Sequence, residues 1–82
     1  MTGRRKGQPV QIDLHGLTCS EAKLRLEQTL RSLPAGTKEL TVIHGYHGGR
    51  QLAEMVRRLR CKRVKRKILT GNPGETIFLL ED

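Results

Sequence analysis

The residues best suited to chemistry in this sequence are Asp13, His15, His44 and His47. All three histidines fall in two short clusters, Asp13-Leu14-His15-Gly16 and His44-Gly45-Tyr46-His47-Gly48-Gly49. In an extended segment alternate side chains share a face, so Asp13 and His15 lie together while Ile12 and Leu14 turn the other way. A carboxylate two residues from an imidazole can orient the ring and raise its basicity, which suits a general acid or base. The plainer alternative is that Asp13 caps a turn and backbone groups satisfy His15. His44 or His47 would supply a partner imidazole or bind a phosphate. Gly45, Gly48 and Gly49 allow close backbone approach, and a helix opening after them would offer free N–H groups to an anion beside Arg50. Many such loops are only turns. The four candidate side chains suit zinc or manganese by type, but their spacings match no strong metal motif, and no metal site is assigned.

The elements that must position these clusters follow from periodicity. Val10-Gln11-Ile12-Asp13-Leu14 alternates apolar and polar residues as a first strand does, and Gly16 ends it. Thr18 followed by Glu21 is a capping-box signature. Ala22, Leu26, Leu30 and Leu33 then form one apolar stripe of a helix that Pro34 and Gly36 stop. Glu39 to Ile43 predicts a second strand, and a second helix runs from about Arg50 to Arg60 with Leu52, Met55, Val56 and Leu59 on its buried side. Val64 to Leu69 predicts a charged third strand, Thr70 to Gly74 a turn, and Glu75 to Leu80 a final apolar strand. The order β-α-β-α-β-β, with a right-handed crossover making the first two strands parallel and a hairpin closing the sheet, predicts a two-layer α/β sandwich. It has a four-stranded mixed sheet and two helices on one face. Ligands of open α/β sheets collect beyond the carboxyl ends of parallel strands, where both histidine clusters lie.

The charge is as uneven as the histidines. Of the 82 residues, the segment from Arg50 to Lys67 holds nine cations against Glu54 alone, while the remainder carries seven basic and seven acidic residues. The nine are Arg50, Arg57, Arg58, Arg60, Lys62, Arg63, Lys65, Arg66 and Lys67. A surface evolved only for solubility mixes its signs; a one-signed segment is an electrostatic footprint for a polyanion. Tyr46 is the one aromatic expected at the rim, able to stack on an unpaired base. A single aromatic makes a poor stacking platform, so recognition should rest on backbone charge and shape. The length suits one domain, expected over residues 9–82 behind a flexible basic tail at 1–8. No apolar run reaches the roughly 18 residues of a membrane span, and no apolar stretch follows the basic start, so a cytoplasmic protein is expected. Cys19 and Cys61, far apart and outside any Cys-x-x-Cys pattern, read as reduced thiols.

Three stretches together resemble a known family. Ile12-Asp13-Leu14-His15-Gly16-Leu17-Thr18 with Glu21-Ala22 looks like the opening motif of small MutS-related (Smr) domains. His44-Gly45 resembles that family's second motif, His-Gly-x-Gly, and Gly74-Glu75-Thr76-Ile77 its closing Gly-x-Thr strand. The chain departs from the second motif in having His47 where the second glycine usually stands, with Gly48 and Gly49 following. The resemblance covers about residues 10 to 81. It implies a fold like the C-terminal domain of translation initiation factor three, and an RNA- or DNA-binding module of a kind that includes nicking and cleaving endonucleases as well as non-catalytic binders. It also implies that Asp13, His15 and His44-Gly45 are the active or binding positions; the loop and charge readings add Gly16, Gly45, Tyr46, Gly48, Gly49 and the nine cations as the expected contact set for RNA or DNA. The partner expected is nucleic acid, structured RNA or the ribosome among the candidates, with no membrane and a monomer by default. As an endonuclease, paired histidines would cleave RNA through its 2′-hydroxyl without metal, whereas DNA nicking would call for Mg²⁺ or Mn²⁺. The alternatives are a non-catalytic nucleic-acid-binding module and a protein-interaction domain whose basic face docks an acidic partner.

Overall fold

The computed structural model describes residues 10–45 and 50–81. The expected tail, and Tyr46, His47, Gly48 and Gly49 of the loop, lie outside the described residues. Six elements follow in the expected order: β1 (Val10–Asp13), α1 (Cys19–Ser32), β2 (Glu39–Ile43), α2 (Gln51–Arg58), β3 (Val64–Leu69) and β4 (Glu75–Leu80). The strands form one sheet in the order β1-β2-β4-β3. β1 and β2 are parallel neighbours, and the two contacts of β4 are antiparallel.

Register decides which face is buried. Val10 and Ile12 align with Leu40 and Val42, which align in turn with Phe78 and Thr76. This face continues through Leu14, and both helices pack on it, burying Leu14, Leu40, Val42 and Phe78 against Ala22, Leu26, Leu30, Val56 and Leu59. On the opposite face Asp13 lines up with Ile43 and Glu75.

Each helix starts and stops for a local reason. Thr18 Oγ1 accepts the Glu21 N–H at 3.1 Å while Glu21 Oε1 accepts the Thr18 N–H at 3.0 Å, so the capping box satisfies two otherwise orphaned donors. The second helix is shorter than its sequence predicts. Arg50 and Leu59 flank it with non-helical backbone, and no side chain caps Arg50. Leu59 leaves the helix with ψ 135° and is buried in the core.

A candidate nucleic-acid site at the β1–β2 rim

The parallel pairing of β1 and β2 brings their carboxyl ends side by side. The ladder continues one step past β1, with the Leu14 N–H donating to Ile43 O at 2.7 Å. The chain then turns: Leu17 N–H donates to Leu14 O at 3.2 Å, with Gly16 at φ +82°. The third residue of this four-residue turn needs a positive φ, which glycine adopts without strain. His15 is thereby held at the rim.

Asp13 fixes the His15 ring. Its Oδ1 accepts the backbone N–H of His15 at 3.1 Å and lies 2.5 Å from Nδ1 of the same residue. A carboxylate can only accept, so Nδ1 carries the proton and Nε2 is left for a ligand. The side chains of His15 and Asp13 are 70% and 53% exposed, so the pair faces solvent. The side-chain and then the backbone hydrogen bond from His15 lower the Asp13 pKa below its ordinary 3.8.

His44 occupies a different place. It follows Val42 on the helix-covered face and is only 4% exposed. Its Nδ1 donates to Gly45 O at 3.0 Å, which leaves Nε2 to accept the Thr76 hydroxyl at 3.1 Å. The His44 and Gly45 N–H groups both donate to Gly74 O, at 2.8 and 3.0 Å. The two later motifs therefore meet in one hydrogen-bonded node beneath the rim. Gly45 connects that node to the catalytic candidate: its φ is +73°, and a Cβ added there would lie 3.3 Å from His15 Cβ. The rim thus brings Asp13, His15, Gly16 and Gly45 together, while the His44 imidazole is turned inward with both nitrogens engaged. Thr76 and Gly74 were not singled out as site residues by the sequence. The closing Gly-x-Thr pattern was the signal that pointed to them.

The basic segment divides in two. Arg50, Arg57, Arg58, Arg60, Lys62, Lys65 and Arg66 are exposed. Arg63 and Lys67 point their charges at helix ends. Arg63 donates to Leu30 O and Leu33 O, both at 2.7 Å, and to Pro34 O at 3.1 Å, covering the last carbonyls of α1. Lys67 donates to Arg57 O at 2.6 Å and Leu59 O at 2.5 Å at the end of α2, with its ammonium 5.4 Å from the centroid of the Phe78 ring. Cations at helix C-termini offset the macrodipole and satisfy free carbonyls. Burial, and secondarily the charge of Arg60, lower the Lys67 pKa from its usual 10.5. The charged ends of Arg63 and Lys67 are thus engaged by the fold, while the other seven cations of the segment stand exposed.

Comparison with known proteins identifies the family. Residues 12–74, more than three quarters of the chain, match the Smr domain. The chain belongs to the Smr domain family. The Smr family is of a nucleic-acid-binding, nuclease-like kind. Neither the curated proteins nor the solved structures hold a significant match to this Smr domain. Among the described residues no group of three or more His, Cys, Asp or Glu is placed to hold a metal ion, and no helix is long and apolar enough to cross a membrane.

Proposed function

We propose that this Smr domain is an endonuclease acting on phosphodiester bonds of RNA or DNA, with His15 as the proton-transferring group and Asp13 as the residue that orients it. The observation that carries the reading is the Asp13–His15 pair, with Nδ1 tied down on a side chain that is 70% exposed and whose Cβ lies close to Gly45. A neutral ring so held takes a proton from an attacking hydroxyl, and the protonated ring gives one to a leaving oxygen. Ionised Asp13 stabilises the imidazolium without taking the proton itself. Arg50, exposed at the start of α2, and the Gly45–Gly49 loop with Tyr46 and His47 supply the remaining candidates for holding the phosphate. His44 supports the rim from below in this reading, and its buried ring takes no part in proton transfer. The exposed cations from Arg57 to Arg66 grip the backbone of the substrate. The chemistry at the rim involves the 2′-hydroxyl if the substrate is RNA; DNA nicking would call for a divalent ion such as Mg²⁺ or Mn²⁺.

A second reading, a binder without catalysis, is favoured by one observation: the Asp13–His15 pair is open to water instead of enclosed. Cleavage of labelled structured RNA and supercoiled plasmid, with and without Mg²⁺ or Mn²⁺, separates the two. The endonuclease reading expects product from wild type and far slower cleavage by Asp13→Ala and His15→Ala at unchanged affinity. Intact RNA and plasmid under every condition would leave only the binder.

A further inference from the structure

The end of α2 and the start of β3 enclose a shallow groove of about 330 Å³ that the proposed chemistry does not use. Its apolar lining comes from Leu59, Cys61 and Val64, and its charged lining from Arg60, Lys65, Arg66 and Lys67. Two features of the fold create it. The Val64 N–H donates to Cys61 O at 3.0 Å, which folds the connector back onto the strand. The register of β3 against β4 then slips between Val64 and Arg66, a bulge centred on Lys65. Bulges re-aim side chains and recur beside binding sites. Lys67, at the groove's edge, offsets the partial negative charge of the α2 end by donating to the Arg57 and Leu59 carbonyls.

Phosphate alone does not account for such a lining. An anion is satisfied by the cations and gains nothing from Leu59, Cys61 and Val64, whereas a flat heterocycle gains from aliphatic contact and from a phosphate held beside it. Small-molecule sites span about 300–1,000 Å³, so the groove is sized for one base and not for a stack of several. We infer that this groove seats a single unpaired base of the bound nucleic acid, with Arg60, Lys65 and Arg66 on the flanking phosphates. The inference rests on the nucleic-acid reading above and narrows it: the preferred ligand carries a bulged or looped-out nucleotide next to a backbone the basic segment grips. Duplex alone fills the cationic rim and leaves the apolar floor wet.

The two thiols provide the test. Cys61 lines the groove, and Cys19 begins α1, so each can be followed by mass after brief maleimide labelling of the full chain. The probes are a short RNA duplex and the same duplex with one bulged purine, both at saturating concentration. The bulged RNA is expected to bind at least fivefold more tightly and to slow Cys61 labelling at least tenfold relative to the paired RNA, with Cys19 unaffected. Val64→Gln is expected to erase the preference while retaining duplex affinity, and Arg57→Gln to weaken both RNAs alike. Equal affinity for the two RNAs with equal Cys61 labelling would overturn the base site and leave backbone binding intact. Failure of both RNAs and of the matching DNA duplexes to bind would overturn the nucleic-acid reading itself, and the base site with it.

Discussion

Asp13 and His15 were legible from the sequence because strand parity alone puts them on one side of β1, and the structure joins them through Nδ1. The same parity argument, carried to His44, gives its inward orientation, since it continues the buried series Leu40 and Val42. What the residue types hid was that both of its ring nitrogens would find partners in Gly45 and Thr76. The pairing makes a direct prediction. Asp13 is held below 3.8 by the hydrogen bonds from His15. Its contribution to stability is therefore present above the unfolded value and is lost as pH falls through the lowered one. Replacing His15 by Ala should raise the Asp13 carboxyl toward its ordinary value, read by carbon-detected NMR titration; an unmoved Asp13 would mean that the ring does not hold it. Removing a general acid or base costs roughly 10²–10⁴-fold in rate, so His15→Ala should fall in that range while Asp13→Asn retains more activity.

Among the elements, the strands and α1 were readable because alternation, the Thr18–Glu21 box and the Leu stripe agree with one another. The ends of α2 were not, because the Arg-rich sequence continues a helix pattern past Arg58 and contains no stop signal. Burial of Leu59 and the Lys67 ammonium end it, and both are tertiary effects. The double role of the basic segment was hidden for the same reason: nothing in composition separates a cation that meets phosphate from one that caps a helix 30 residues away in sequence, as Arg63 does at Leu33. Arg63→Met should lower stability by about 2 kcal/mol, since charge-assisted hydrogen bonds contribute about 1.5–3 kcal/mol each and part is recovered by water at the exposed end of α1. Denaturant unfolding measures this loss, and nucleic-acid affinity corrected for folding should not change. Gly45→Ala places a Cβ in a left-handed conformation and against His15. It should cost about 1–2 kcal/mol in thermal unfolding and depress cleavage as well. Stability at the wild-type level would show that the Gly45 backbone relaxes away from φ +73°.

Across the whole molecule, the proposed function puts grip and chemistry in separate places. Seven exposed cations run from the start of α2 to the middle of β3, while Asp13 and His15 stand at the β1–β2 rim. In sequence, the cationic segment begins at Arg50, five residues after Gly45. If about five phosphates are contacted, log K should fall against log salt with a slope of roughly −3.5 to −4.5. Arg57→Gln should reduce that slope by about one, and Arg63→Met should leave it unchanged. A salt-independent affinity would contradict the electrostatic grip. The separation also predicts that rate and affinity can be lost independently, and the most direct test is single-turnover cleavage of structured RNA by His15→Ala at saturating protein, with the dissociation constant measured on the same RNA. The account predicts a rate at least a hundredfold below wild type with affinity within twofold of it; a His15→Ala protein that cleaves at the wild-type rate would contradict the assignment of the chemistry to the Asp13–His15 pair.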